Sequence, residues 1–321
     1  MDDNKEKILN LKIGNSLCNN NCIFCADGEK KKQSLIPKKE LFSTLKKWRE
    51  KTDCLVFCGS DPTLNPYLCD TIKEAKKLKY SEIRLITNGR LLSYFNFAKK
   101  IVESGLTEIC ISFHGSCPAI QDAQTRIPGS FNQTFNACQN LSVLKSSHKF
   151  KWYINYTFNK LNAADFYDFF KMILSFDGLN GFNIAAVMPQ GLALKYFDIV
   201  VPNYSELGKI FKRSINRLNK TPALKKRMSD VGFRVTGLPF CVMKNCEYYV
   251  NDYRDQYILK NPRNKKIKTL YGALDRQRLI GAYCKSCYYY NTCPGVWKEY
   301  TKRRGWKEFK PIKNEEFRKN N

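Results

Sequence analysis

The sequence predicts an α/β protein: a parallel sheet closed wholly or partly into a barrel, a partial (β/α)6 architecture of the TIM type, followed by a small cysteine-rich domain. Three observations predict it. Apolar runs of strand length alternate with longer amphipathic segments from the N-terminus to about residue 220. The links between them are short, which suits strands joined through crossover helices. After about residue 225 the alternation gives way to Gly, Pro, Tyr and Cys. The expected division is therefore residues 1–225 for the barrel and 226–321 for the extension.

The elements follow in order. The strand candidates are Ile8 to Ile13, Cys54 to Cys58, Glu82 to Thr87, Glu108 to Phe113, Lys151 to Phe158 and Gly181 to Val187. Helix-like stretches lie near Lys38 to Lys51, Pro66 to Lys79, Tyr94 to Ser104, Phe131 to Ser146 and Ala163 to Phe176. The last starts with Asn162 or Ala163 as cap and Asp165 in its first turn. A further helix is expected over Tyr204 to Asn219. After about residue 225 no long helical period recurs until Pro294 to Lys302, and the polar stretch Lys307 to Asn321 is expected to fray. In such sheets the ligand site sits at the carboxyl ends of the strands, so motifs just after each strand carry the most weight.

Composition narrows the function classes. With 43% hydrophobic and 13% aromatic residues in 321, a basic disordered tail is excluded. No window approaches the roughly 18–20 consecutive apolar residues of a membrane span, and Met1 to Asn10 lacks a hydrophobic export core. A cytoplasmic, reducing location is therefore expected, and it turns the 14 cysteines from disulfides toward metal ligation or catalysis. His114 and His148 are the only histidines, so metal chemistry falls mainly to thiolates. The charge, 55 − 29 = +26, has two readings. Clusters at Lys30-Lys31-Lys32, Lys265-Lys266-Ile267-Lys268 and Lys302-Arg303-Arg304 suit phosphates of RNA or DNA or an acidic peptide; equally, they are solvated faces of a lysine-rich composition.

The strongest motif is Cys18-Asn19-Asn20-Asn21-Cys22-Ile23-Phe24-Cys25, directly after the first strand. A tight loop can aim its three thiolates at one point, which suits an iron-sulfur cluster with one iron left open. A zinc knuckle completed from elsewhere is the competing reading. This C-x3-C-x2-C spacing, with Phe24 beside the last cysteine, resembles the radical S-adenosylmethionine (SAM) enzymes. Other landmarks of that family follow at successive strand ends: Cys58-Gly59-Ser60-Asp61-Pro62-Thr63, similar to the family's Gly-Gly-Glu-Pro segment but departing from it; Thr87-Asn88-Gly89; Ile111-Ser112-Phe113-His114-Gly115; and Val187-Met188-Pro189-Gln190-Gly191, while Pro128-Gly129-Ser130-Phe131 is similar to the family's helix entry following strand four. The resemblance covers residues 8 to 220. It implies a [4Fe-4S] cluster on Cys18, Cys22 and Cys25, with SAM contacted by Phe24, Gly59, Ser60, Asp61, Pro62, Asn88, Ser112, His114 and Met188. It also implies reductive cleavage of SAM to methionine and a 5'-deoxyadenosyl radical that abstracts hydrogen from substrate. A flavodoxin or ferredoxin is then the expected electron donor.

In the extension, Cys284-Lys285-Ser286-Cys287 and Cys293 give C-x2-C-x5-C, with Cys241 upstream. Four thiolates, Cys241, Cys284, Cys287 and Cys293, suit a second [4Fe-4S] cluster or a zinc site, with Cys246 as a spare. The C-x2-C-x5-C element resembles the auxiliary-cluster domains of the same family, SPASM or its shortened form, twitch. Position 297 is Trp where the full form continues with cysteine, which favours the shortened form. Cys54, Cys69, Cys110, Cys117 and Cys138 read as packing. Cys58 reads as a turn filler or a hydrogen donor, His114 as a contact to SAM or substrate, and His148 as exposed. Tyr288-Tyr289-Tyr290 either cover the cluster or stack on a ligand.

The resemblance implies a maturase acting on a peptide or protein, acidic if the charge steers it. The alternatives are a tRNA-modifying enzyme, an enzyme of nucleotides or sugars, and a zinc-containing RNA-binding protein.

Overall fold

The computed structural model describes residues 8–14, 17–28, 35–251 and 277–313, and the backbone alone of 256–259 and 268–269. Seven parallel strands run in chain order across one sheet: β1 (Ile8–Lys12), β2 (Cys54–Cys58), β3 (Glu82–Thr87), β4 (Glu108–Ser112), β5 (Lys151–Phe158), β6 (Gly181–Ala186) and β7 (Gly232–Thr236). The first six coincide with the strands expected from sequence to within a residue at their ends. Strand β7 was not expected. It pairs in parallel with β6 from Gly181 opposite Gly232 onward, so the sheet continues past residue 225. On the far side of β1 the backbone of β8 (Gln256–Leu259) runs parallel and that of β9 (Lys268–Thr269) antiparallel to β8.

Helices α1 (Lys38–Arg49), α2 (Leu68–Lys77), α3 (Phe95–Glu103), α4 (Pro118–Thr125), α5 (Ser130–Lys145) and α6 (Phe166–Ile173) fill the crossovers; α1, α2, α3 and α6 are shorter than their expected stretches, α5 is shifted by one residue, and α4, started by Pro118, was not expected. After two single turns, α7 (Leu192–Lys195) and α8 (Phe197–Val200), come α9 (Tyr204–Asn219) and α10 (Pro222–Asp230). Helix α10 was not expected and straddles the boundary at residue 225: its Pro222 sets the first turn, but only Met228 is buried, so it shows no apolar stripe.

Side chains alternate along each strand. On β4 and β5, Ile109, Ile111, Trp152, Ile154, Tyr156 and Phe158 are fully buried against the helices. Cys110, Ser112, Tyr153, Asn155 and Thr157 take the opposite, concave face and are half-buried. The core is densely aromatic here: Phe169 lies 4.5 Å from Tyr156 and Phe158 stacks on Phe166 at 4.7 Å between ring centroids. The C-terminal region adds a short hairpin, β10 (Arg278–Leu279) with β11 (Val296–Trp297), and a helix Lys298–Arg304. Tyr300 of that helix stacks on Tyr204 of α9 at 4.1 Å and fastens the extension to the barrel. Among the described residues no helix is long and apolar enough to cross a membrane.

Candidate functional site

The loop carrying Cys18, Cys22 and Cys25 leaves the carboxyl end of β1 and is held along its length. Asn21 and Ile23 donate backbone N–H groups to the carbonyls of Thr125 (3.0 Å) and Gln124 (2.9 Å) at the end of α4. Leu192, after β6, donates to the Cys25 carbonyl at 2.8 Å. Gly191 is required at that contact: its φ is +55°, and a Cβ there would stand 2.5–2.6 Å from backbone atoms of Gly28, Ala26 and Cys25. All three thiols are half-buried and outside any disulfide. The Asn20 N–H and the Asn88 amide face the Cys18 sulfur at 3.4 and 3.8 Å.

The turns after β2 and β3 are built around Asp61. Gly59 (φ +78°) and Ser60 (φ +52°) turn left-handed in succession, then Asp61 is completely buried ahead of Pro62. Its carboxylate accepts hydrogen bonds from the backbone N–H groups of Thr63 and Asn88 (both 2.9 Å) and from the hydroxyls of Thr63 (2.5 Å) and Thr87 (2.9 Å). Burial pushes the Asp61 carboxyl above its ordinary range, against the pull of these hydrogen bonds. Its side chain therefore serves as the joint between the two turns, while Asn88, held by it, bonds Asn19 at 2.6 Å.

Ser112, at the carboxyl end of β4, lies in register with Asn155 in the middle of β5, and Asn155 with Asn183 in the middle of β6. The Asn183 amide donates to Asn155 Oδ1 at 2.5 Å, while Asn183 Oδ1 is buried with no partner. Sequence reasoning picked out Ser112 but missed both asparagines. The signal was the inward parity of β5 and β6 at the level of Ser112. Met188, also a sequence candidate, is half-buried just beyond β6.

His114 stands behind the cysteine loop. Its ring is 4% exposed and meets Phe24 edge-on, with centroids 4.9 Å apart. The Thr157 N–H donates to Nδ1 at 2.9 Å, which leaves the proton on Nε2, and burial pushes the pKa down to about 3. The ring is thus a neutral support for Phe24. The unfolded chain takes up a proton near pH 6.5 that the native chain refuses, so stability is full above pH 6.5 and is lost as pH falls toward about 3. The loss amounts to roughly 3–5 kcal/mol over the window. In urea unfolding at about pH 7 and pH 4, wild type should lose more stability than His114→Gln; equal losses would refute the assignment.

In the extension, Cys241, Cys284, Cys287 and Cys293 line one small apolar cavity of about 30 Å³ with Tyr290 and Phe309. Burial pushes the Cys241 thiol up to about 12, and Cys293, Cys284 and Cys287 add to the effect. Backbone N–H groups of Gly295 and Ile312 donate to the sulfurs of Cys293 and Cys287, both at 3.4 Å. Cys246 lies outside this cavity, near Lys212 and Glu247. Tyr289 stacks on Phe240 at 4.3 Å and Tyr290 lines the cavity, while Tyr288 and much of Tyr290 face solvent. As the side chains stand, no three His, Cys, Asp or Glu among the described residues are within common reach of one metal ion. The donor sets nonetheless fit iron-sulfur clusters, being thiols alone, on one loop in the barrel and around one apolar cavity in the extension.

Burial pushes the Cys58 thiol up to about 12, so it is protonated beside Lys12. Cys54 and Cys138 are buried, while Cys69, Cys110 and Cys117 are half-buried; all 14 cysteines are free of disulfides. His148 is partly exposed near Glu103 at 3.7 Å. Of the basic clusters, Arg303 and Arg304 lie over the Phe197 ring at 4.9 and 5.2 Å. Lys30-Lys31-Lys32, the side chains of Lys265-Lys266-Ile267-Lys268, and residues 314–321 of the terminal stretch lie outside the described residues.

Residues 15–173 match the family model described as the Radical SAM superfamily. Among curated proteins, the 7,8-dihydro-6-hydroxymethylpterin dimethyltransferase of Methanocaldococcus jannaschii is 32% identical over 113 residues, 34% of this chain and 22% of its own length. The probable GTP 3',8-cyclase of Saccharolobus solfataricus is 26% identical over 180 residues, 54% of this chain and 55% of its own. The chain thus spans about half the length, or less, of these curated relatives. Two solved structures share the fold. SuiB of Streptococcus suis bound to S-adenosylmethionine has a TM-score of 0.66 at 13% identity, covering 96% of this chain and 76% of that one. Native anSMEcpe with bound AdoMet has a TM-score of 0.63 at 17% identity, covering 94% and 96%.

Proposed function

We propose, from the premise that the chain is a radical SAM enzyme with its family domain at residues 15–173, that it modifies a peptide or protein side chain. In this reading Cys18, Cys22 and Cys25 hold the [4Fe-4S] cluster that binds SAM. Cys241, Cys284, Cys287 and Cys293 hold a second [4Fe-4S] cluster in a twitch-like domain over residues 226–321. When bound, the first cluster and SAM supply a 5'-deoxyadenosyl radical, using an electron from a flavodoxin or ferredoxin in the reducing cytoplasm.

The chain's own residues do the positioning. The loop tethers set the three thiols at the open end of the barrel, and Asp61 fixes the turns on one side of them. The turn Gly59-Ser60 and Pro62, with Asn88 and Met188, surround the mouth, while Phe24 is braced by His114. Ser112, Asn155 and Asn183 offer a row of hydroxyl and amide groups to the hydroxyls of a ribose.

The observation that carries the peptide reading is that the fold likeness runs on through the four-thiol region. It covers 94% of this chain and 96% of anSMEcpe, a protein also solved with a bound Cp18Cys peptide. SuiB, likewise similar over 96% of this chain, has been solved with its precursor peptide SuiA. A second reading, a nucleotide substrate, is favoured by the match to GTP 3',8-cyclases over 54% of the chain. A tRNA substrate rests on charge alone, and two cations of the Lys302-Arg303-Arg304 cluster are spent on packing.

The test is 5'-deoxyadenosine formation by anaerobically reconstituted protein with dithionite and SAM. Host peptide, RNA and nucleotide fractions are compared. Stimulation by the protease-sensitive fraction is expected. Stimulation that nuclease abolishes would replace the reading with tRNA, and stimulation by purified nucleotides with a cyclase-like activity.

A further inference from the structure

The segment between Cys18 and Cys22 is three asparagines, and each is gripped from another part of the barrel. Arg90, the first residue after the β3 turn Thr87-Asn88-Gly89, reaches across with its guanidinium. It donates to the Asn19 carbonyl and, at 3.3 Å, to Asn20 Oδ1; its Nε donates to Gln133 Oε1 on α5 at 2.5 Å. Arg126, in left-handed conformation (φ +56°) at the end of α4, grips the next residue. Its Nε and Nη2 donate to the Asn21 carbonyl at 2.6 Å and to Asn21 Oδ1 at 2.8 Å. Arg126 thus forks on Asn21, while Arg90 bridges from the loop, met through Nη1, to Gln133, met through Nε, a two-nitrogen span lysine cannot reproduce.

The two differ in setting. Arg126 is exposed, so its grip is screened by solvent. Arg90 is half-buried and joins three segments that meet only in the folded barrel: the cysteine loop, the β3 turn and α5. Asn88, its near neighbour, is hydrogen-bonded to Asn19 and faces the Cys18 sulfur. The thiols carry negative charge once they bind iron, and a reduced cluster carries one charge more. A fixed cation bonded to the residue beside Cys18 therefore favours the reduced form and holds the loop in its binding shape before iron arrives.

We propose that Arg90 is a positioning residue for the cluster loop, acting in two ways: its fork pre-shapes the Cys18–Cys22 segment, and its charge raises the reduction potential of the cluster bound there. The proposal rests on the reading of Cys18, Cys22 and Cys25 as cluster ligands.

The test compares wild type, Arg90→Met, Arg90→Lys and Gln133→Leu, reconstituted anaerobically. The readouts are iron and sulfide per chain, cleavage of the cysteine loop by thermolysin before reconstitution, and the midpoint potential of the EPR signal that SAM perturbs. Arg90→Met is expected to be cut faster in the loop, to load less iron and to titrate at a more negative potential. Arg90→Lys should restore the potential but not the protection, because it keeps the charge and loses the fork. Gln133→Leu, which leaves the loop contacts in place, should weaken protection with little change in potential. Wild-type potential and wild-type protection in Arg90→Met would overturn the proposal, provided its circular dichroism melt matches wild type. If that variant melts early, Gln133→Leu and Arg90→Lys decide: wild-type protection in both overturns it. A Cys18→Ala/Cys22→Ala/Cys25→Ala chain that binds as much iron as wild type would instead remove the cluster assignment itself, and the proposal with it.

Discussion

Replacing Cys18, Cys22 and Cys25 together with Ala is expected to reduce 5'-deoxyadenosine formation by at least about a thousandfold, to the level of SAM without protein. The other thiols are poorly suited to substitute: Cys58 ends β2 opposite Lys12 of β1 and is held protonated by burial, and the four-cysteine set belongs to the extension. Iron should fall by about four atoms per chain while the share bound by the extension persists. Because the three thiols are half-buried on a loop tethered mainly by its backbone and asparagines, the fold should survive the change. Iron analysis and a thermal melt beside the product assay separate these effects. Residual 5'-deoxyadenosine well above background would end the assignment of these cysteines.

Asp61→Ala should be the most damaging single substitution among the residues around the mouth. It strands two backbone N–H groups, of Thr63 and Asn88, in a fully buried turn, along with two threonine hydroxyls that can at best rotate. Each stranded N–H costs about 1–3 kcal/mol, and with the void the total comes to about 3–5 kcal/mol. That is a large share of the roughly 5–15 kcal/mol by which proteins of this kind are stable. The turn carrying Asn88 should also drift from Asn19, so SAM cleavage falls even where the protein stays folded. Asp61→Asn keeps the volume and one acceptor and should cost less. Urea unfolding measures both; an Asp61→Ala midpoint equal to wild type would show that the carboxylate joins nothing.

The barrel was legible because its strands are continuous apolar or alternating runs bounded by turns, and their ends carried recognisable segments. Strand β7 was not, because Gly232-Phe233-Arg234-Val235-Thr236 interrupts its apolar residues with an arginine and opens on glycine. The cysteine sets were legible from spacing, and the structure brings Cys241 to the three cysteines of the C-x2-C-x5-C element while leaving Cys246 apart. The parts that were not legible are those whose partners are remote. Arg90 is 70 residues from Asn20 and Arg126 is 105 from Asn21, and neither arginine stands out in a chain with so many cations. Asp61 stood out for its place in a motif, whereas its four donors come from two different turns. His114 drew notice by position, and its neutrality depends on a backbone N–H from the neighbouring strand.

The closing of Leu192 onto the Cys25 carbonyl also fixes an order of events during synthesis. The cysteine loop leaves the ribosome well before its fastenings, Arg90, Thr125, Arg126 and lastly Gly191 and Leu192. Contacts so distant along the chain form only after the intervening strands have folded. Until then the nascent thiols are an unshaped set, open to oxidation and to any thiophilic metal. Delivery of iron and sulfide to this loop is therefore expected to be productive only after β6 is in place, when the barrel around the loop is nearly finished.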